Sequence, residues 1–386
     1  MRAAIEAILP QVVAWRRDFH AHPELSFAEH RTGARVAELL RGFGCDSVET
    51  GWSGTGVVAV INGRAPVGKN GRRRIGLRAD MDALPISEAS GVAFASTVPG
   101  VMHACGHDGH TAMLLAAAQY LTATRGFAGQ AVLIFQPGEE AGGGARAMIA
   151  EGFLDRYPLD EVYALHNMPG LAVGAYASRP GPIMAAADMF SIEISGRGGH
   201  AAQPHLALDP VMIAGHVLVA LQTVVARNVD PLKPAVLSVS TVVSDGSGAC
   251  VVPGRVVLTG TVRSFEGAVQ DLIEERLRAV VTGVAAAHGG VAVVEYLRDA
   301  PATVNDAGCA AQALAVARGL SAQVDGDVAP MMVSEDFSEF LLRVPGAFMF
   351  VGNGEGALLH HPAYAFNDAG LPFGAAWLAG MVEARG

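Results

Sequence analysis

The sequence predicts an α/β protein in two parts. One is a discontinuous domain, residues 1–181 and 299–386, with a mixed, largely parallel sheet flanked by helices. The other, residues 182–298, is an inserted ferredoxin-like β-α-β-β-α-β domain. Three observations predict this. Before residue 182, near-continuous apolar strands alternate with helical stretches, as they do in sheets covered on both faces. Ligand-type residues follow the ends of those strands, the edge where sites collect in α/β sheets. From about 182 the strands turn alternating, and past 299 the first style returns.

In chain order, residues 3–21 read as an amphipathic helix stopped by Pro23, and residues 28–41 as a second one closed by Gly42 and Gly44. His20 and His22, beside a proline and a helix end, read as structural or as a substrate wall. Strands TGVVAVI and RRIGLRADM follow, the second delivering Asp80 and Asp82. The stretch Met102–His110, MHACGHDGH, then packs one thiol, three imidazoles and a carboxylate ahead of the helical TAMLLAAAQYLTAT. Cys105 and His107 are two apart, so in an extended or turning segment they share a side, and Gly106 and Gly109 let the backbone turn. A thiolate and an imidazole converging there make half of a site for a divalent metal. The N-terminus of the following helix favours the thiolate of Cys105, while a cation there needs further anionic ligands.

Next, GQAVLIFQPGEEAGGGARAM reads as a buried strand, a Pro137-Gly138 turn, the pair Glu139-Glu140 and a helix. Adjacent carboxylates leave the backbone in different directions, so one can bind metal while the other faces its water. The glycines 142–144 lack the Lys-Ser/Thr of a phosphate loop and read as close packing. Strand EVYALHNMPG ends near His166, a third strand end offering a ligand. In the insert, ADMFSIEISG, AVLSVSTVVS, RVVLTGTVRSF and GVAVVEYLR are strands, and ALDPVMIAGHVLVALQTVVAR and FEGAVQDLIEERLRAVVTGVAAAHG are helices.

Composition bounds the function. With 51% hydrophobic and 17% charged residues the chain is globular, and a net charge of −10 argues against nucleic acid or an anionic membrane as partner. No unbroken apolar run reaches the ~18 residues that span a bilayer. The N-terminus, interrupted by Glu6, Pro10 and Gln11, is no signal peptide. Four cysteines without disulfide-like spacing fit a reducing, cytoplasmic compartment.

Taken together, RRDFHAHPELSFAE, LRADMDALPISE, MHACGHDGH, FQPGEEAGGGA, ALHNMPG, GRGGHAAQPH, VVPGRVVLTGTVRSF, VSEDF and LHHPAYAFND span almost the whole chain in order. They resemble the hippurate hydrolase and N-acyl-amino-acid amidohydrolase branch of the aminoacylase and glutamate carboxypeptidase superfamily. The resemblance implies a catalytic domain holding two divalent metals and an inserted lid through which the protein forms a homodimer. Motif by motif, it puts metal ligands at Cys105, His107, Glu140, His166 and His360 and the general base at Glu139. It leaves His361 a neighbour, sets Asp80 behind the ligands, and gives His200 a reach across the dimer to the partner's site. Cys250, where relatives commonly have Asn, and Ala300-Pro301, ahead of Asn305, depart from the pattern at positions that line substrate.

The reading that follows is hydrolysis of a small N-acyl amino acid. Two metals lower the pKa of bound water from 15.7 towards about 7. Glu139 takes its proton and passes it to the departing nitrogen, while His200 and one metal stabilise the oxyanion. Arg263, ending strand VVLTGTVR, can hold a substrate carboxylate in a fork, or can be a solvated strand-end arginine. Mn²⁺, Zn²⁺, Co²⁺ and Ni²⁺ all suit the donors, with Cys105 favouring the softer ions. A dipeptidase or carboxypeptidase, or a non-catalytic metal-binding protein, are the rival readings. A serine hydrolase lacks its G-x-S-x-G elbow here, and a zinc deaminase its P-C-x-x-C.

Overall fold

The computed structural model describes residues 1–67, 71–246 and 248–386. They form two compact units, the first comprising 1–183, 304–329 and 335–386 and the second 184–303 and 330–334. The short return at 330–334 joins the second unit because the Ala185 amide donates to the carbonyls of Met331 and Val333.

The first unit opens with helices α1 (Arg2–Ala7), α2 (Leu9–Ala21) and α3 (His30–Phe43). The single helix expected over 3–21 is thus two. Pro10 has no N–H to give to Glu6, and its ring crowds that carbonyl, so the helix breaks at Ile8. Gly44, in the left-handed region at φ 83°, closes α3. Next come β1 (Ser47–Trp52), β2 (Gly56–Asn62), β3 (Arg74–Asp80), α4 (His107–Thr124), β4 (Gln130–Gln136), α5 (Gly144–Ala150), β5 (Glu161–Pro169) and β6 (Tyr176–Ala177).

The second unit holds β7 (Ala186–Ser195), α6 (Pro210–Asn228), β8 (Ala235–Ser244), β9 (Arg255–Ser264), α7 (Gly267–Ala287) and β10 (Val291–Ala300). The first unit then resumes with α8 (Ala307–Leu320), β11 (Val324–Asp325), β12 (Gly346–Gly354) and α9 (Leu371–Arg385).

The first unit's sheet runs β1-β2-β4-β3-β5-β12-β6-β11. Its centre, β4, β3, β5 and β12, is parallel, while β1, β2 and β6 pair antiparallel with their inner neighbours. The sheet is therefore mixed and largely parallel at its core, as expected. Helix α4 is buried continuously from His107 to Ala118, so it has no solvated stripe and belongs wholly to the interior. Trp377 of α9 is fully buried, edge-on to Tyr163, and its indole N–H donates to the Ala313 carbonyl at 3.1 Å.

In the second unit the four strands form an antiparallel sheet in the order β8-β9-β7-β10. Ile213, Val217 and Leu221 of α6 and Ile273, Leu277 and Val281 of α7 recur every four residues, and their stripes cover one sheet face with Phe190, Ile192 and Ile194. Helix α6 corrects one expectation, because it is long and apolar enough to cross a membrane by length and composition. His216 and Gln222 interrupt its apolar run in sequence, which hid that property, and in the structure its apolar stripe packs on the sheet.

Replacing Trp377 by Ala should remove a packed indole and take its N–H donor from the Ala313 carbonyl. A loss of about 3–5 kcal/mol is expected, read as a lower thermal midpoint; an unchanged midpoint would contradict this account of the core.

Candidate metal centre

The parallel strands end where the site begins. Asp80 ends β3, and Asp82 lies just beyond it. Both are fully buried, a position a carboxylate tolerates only with partners. Asp82 is the hub. Its backbone carbonyl accepts from His107 Nδ1 at 2.9 Å, and its carboxylate accepts from the Ser26 hydroxyl at 2.7 Å and the Glu140 amide at 2.9 Å. The carbonyl needs a donor, so the proton of neutral His107 sits on Nδ1 and Nε2 carries the lone pair.

Nε2 of His107 faces Asp80 at 3.7 Å, Glu140 at 3.9 Å and Glu139 at 4.0 Å. Yet, among the described residues, it makes no hydrogen bond, while Glu140 Oε1 has His360 Nε2 at 3.3 Å. His166 is arranged alike: Nδ1 donates to the Asn167 carbonyl at 2.8 Å, and Nε2 points to Cys105 Sγ at 3.3 Å. Two imidazoles each anchored through Nδ1 and offering Nε2 match how metal-binding histidines are held.

Donor atoms of Cys105, His107 and His166 lie within 4.8 Å of one another, as do those of Cys105, Glu140 and His360 and those of His107, Glu139 and Glu140. Cys105 belongs to two of these groups, so the cluster has room for two cations beside one sulfur. A buried imidazole nitrogen without a hydrogen bond, His107 Nε2, in a set of one thiol, three imidazoles and carboxylates, fits divalent metal ions.

Electrostatics agree. Burial opposes charge on His107, but Asp80 and Cys105 outweigh it and hold the imidazole well above its usual range. His360 is pushed up to about 10, chiefly by hydrogen bonds to Cys105 and Glu140. The cluster calls for positive charge, whether proton or metal. Glu139 is held well above the carboxylate range, first by burial, then by Glu335, Glu140 and Asp336. Cys105 differs from expectation: burial raises its thiol, and His107 offsets this only in part. Its thiolate therefore depends on a cation more than on the N-terminus of α4.

Backbone conformation builds the same geometry. Gly106, the residue before α4, is left-handed at φ 92°, and a Cβ there would collide with the Asn167 amide oxygen and the Tyr364 hydroxyl. His360 is left-handed too, at φ 64°, with its amide donating to the Ala104 carbonyl. An imidazole held in that conformation is strained, as side chains at functional sites often are.

The model of peptidase family M20/M25/M40 matches residues 76–384. The chain belongs to this family. It is 41% identical to an N-acetyl-L-cysteine deacetylase of Bacillus subtilis, covering 94% of this chain and 85% of that one. To a hippurate hydrolase of Campylobacter jejuni it is 38% identical, covering 94% of each. Its fold matches a Bacillus subtilis structure described as a dinuclear metal binding peptidase from the M20 family. The TM-score is 0.83 at 32% identity, with 98% of each chain covered.

Within this M20 chain, Cys105, His107, Glu139, Glu140, His166 and His360 come together, with Asp80 behind them bonded to His110 and Arg78. The remaining sequence-selected residues have surroundings of their own. Asn305 is buried, its amide bonded to the carbonyls of Arg179 and Phe348 and the Ser178 hydroxyl, and its oxygen to the Phe348 amide. Both ends of its amide thus hold backbone, an anchoring role and not a free substrate contact. Arg263, half-buried in the second unit, donates to the Thr261 hydroxyl and the Val262 carbonyl. His200, exposed in the same unit, sits in a two-residue strand paired with Val251–Val252. His361 accepts from the Ala363 amide, a turn contact.

Sequence reading missed several residues of the M20 site. His110, three residues after His107 on α4, shares its face, bonds Asp80 at 2.6 Å and meets Asn167 through its other nitrogen. Arg78 is fully buried and faces Asp80, Glu335 and Asp336 at 2.7–2.9 Å. A charged residue in a strand otherwise apolar was the available signal. Asp108, behind the site, faces Arg16 at 3.1 Å and His20 at 2.9 Å.

Burial would raise the Asp108 carboxyl, but His20 and Arg16 outweigh it and hold it well below its usual range. A depressed folded pKa contributes stability that is whole above the unfolded value of about 3.9 and is lost as pH falls below it. Asp108→Asn should cost about 3–5 kcal/mol at neutral pH by leaving buried Arg16 without this partner. It should also flatten the acid arm of the stability–pH curve; parallel acid arms for variant and wild type would refute the assignment.

Proposed function

We propose that this protein is a metal-dependent amidohydrolase that cleaves the amide bond of N-acyl amino acids, acting as a homodimer with the second unit as lid. As a member of its family it is a hydrolase of amide bonds. The observation carrying the reading is the pair of imidazoles, His107 and His166, anchored through Nδ1 and aiming Nε2 at the carboxylates of Asp80, Glu139 and Glu140 and at the Cys105 thiol. The names of the relatives, a deacetylase of N-acetylcysteine and a hippurate hydrolase, support the substrate class.

In this reading Cys105, His107, Glu140, His166 and His360 would hold two divalent cations from among Mn²⁺, Zn²⁺, Co²⁺ and Ni²⁺. Bound there, the cations supply Lewis acidity and a water acidic enough to ionise near neutral pH. Glu139 accepts the water's proton and hands it to the departing amine. A carboxyl held above its ordinary range is suited to that transfer near neutral pH. Asp82 holds the His107 imidazole in place, and Asp80 holds that of His110.

Arg263 receives the substrate carboxylate with the part of its fork that Thr261 and Val262 leave open, and His200 of the partner subunit donates to the oxyanion. Sheet edge β8, with Val236, Val242 and Val243 exposed, supports pairing of two copies, as does Val219 on α6. The order β8-β9-β7-β10 with two covering helices is that of a ferredoxin-like lid. Cys105, useless as a donor once oxidised, supports a reducing, cytoplasmic setting.

Glu139→Gln should keep its metal content and lose about 10²–10⁴ in kcat on an N-acyl amino acid. Glu140→Gln should lose metal as well. Turnover by Glu139→Gln at the wild-type rate would remove Glu139 from the chemistry. The panel should include dipeptides with a free amine, because one relative is described as a peptidase.

Mixing inactive Glu139→Gln chains with inactive His200→Ala chains should restore activity. In a mixed dimer the site that keeps Glu139 receives the partner's intact histidine, leaving one sound site in two. No recovery, with subunit exchange demonstrated, would confine His200 to its own chain.

A further inference from the structure

Phe27 stands in an unusual place. It is one of four non-glycine residues among those described with positive φ, at 62°, a conformation that crowds an aromatic side chain. His360, one of the candidate donors, is another. Strain of this kind persists only where the surroundings over-determine it.

The surroundings here are explicit. Glu29, fully buried, accepts the Phe27 amide at 3.0 Å, the Gly138 amide at 2.9 Å and the Thr55 hydroxyl at 2.5 Å. Ser26 is tied to Asp82, the hub that also holds His107 and Glu140. Leu25 bridges to Ala83, and the Glu24 carbonyl accepts from the Ala83 amide. The segment 24–29 is thereby fastened to the same backbone that carries the site.

The outcome is a fixed ring. Gly138, itself at φ 65°, precedes Glu139, and a Cβ on it would meet the Phe27 ring at 2.6–2.8 Å. The ring therefore lies against the peptide that leads into Glu139 and Glu140. Phe27 is 40% exposed, and so is Leu25. One part of the ring packs on Gly138, and the part left open to solvent beside the turn into Glu139 and Glu140 makes no such contact.

We propose that Phe27, with Leu25 beside it, forms the wall that receives the substrate's acyl group and sets a preference for bulky apolar acyl groups over acetyl. This rests on the amidohydrolase reading above. The half of the substrate that meets this wall follows from charge. The amino-acid half carries a carboxylate, and residues 23–29 include no cation to receive it, Glu24 and Glu29 being the charged residues there. A carboxylate placed there would find no partner on this segment. The acyl half is uncharged and gains by covering the ring, through contact area and, for a benzoyl group, ring–ring packing.

The test compares kcat/KM for N-benzoylglycine and N-acetylglycine in wild type, Phe27→Leu and Phe27→Gly. Glycine adopts positive φ freely, so Phe27→Gly keeps the fold while removing the ring. Metal content by elemental analysis should match wild type in both variants. The benzoyl-to-acetyl ratio should fall about tenfold or more in Phe27→Gly and less in Phe27→Leu, in the range a hydrophobic pocket discriminates. A ratio within twofold of wild type in Phe27→Gly would overturn this inference alone. Wild-type protein, loaded with metal and inactive on every N-acyl amino acid, would overturn the amidohydrolase reading and this one with it.

Discussion

Crowded buried carboxylates are the constraint around which the first unit is arranged. Asp80, Asp82, Glu139, Glu140, Glu335 and Asp336 gather at the ends of β3 and β4 and in the turns beyond. Left alone, such a cluster would protonate or pull apart. Two sources of positive charge hold it. On one side Arg78, wholly buried, faces Asp80, Glu335 and Asp336. On the other the imidazoles of His107 and His360 are drawn towards their charged forms. The second set is exchangeable, because a divalent cation can take the protons' place.

That division separates structure from chemistry. Arg78 cannot release its charge, so the acids it pairs belong to the scaffold. Even there Asp336 is pushed up to about 7, first by burial, with Arg78 opposing and Glu335 adding to the rise. The acids it does not pair directly, Glu139 and Glu140, are those whose charge must be met by something that binds. The same separation appears in the backbone. The parallel strands are regular up to their ends, and the non-glycine positive φ angles at Phe27 and His360 lie in the loops that surround the cluster.

Asp82 shows how little separates the hub from the working parts. Through one backbone oxygen and one carboxylate it fixes the tautomer of His107, the turn before Glu140 and the segment carrying Ser26. A substitution that only neutralised it would disturb three elements together, which makes its burial intelligible despite the cost of desolvation.

Much of this was legible from the sequence alone. Its local periodicities determined the strands, the helices and the order of the insert, because the apolar repeats of β3, β4, α6 and α7 are properties of each segment. Its motifs marked Cys105, His107, Glu139, Glu140 and His166, since thiols, imidazoles and paired acids at strand ends are rare in an apolar chain, and the family resemblance added His360. It misread the single helix over 3–21, where Pro10 breaks the hydrogen-bond ladder, and it passed over Arg78 and His110. Only the tertiary structure decided which nitrogen of His107 is free, that Cys105 is shared by two donor groups, that the Asn305 amide is spent on backbone, and that Phe27 is locked beside Glu139. Each of these depends on contacts between segments dozens to hundreds of residues apart, and a periodicity within one segment carries no information about the partner that will satisfy its polar atoms.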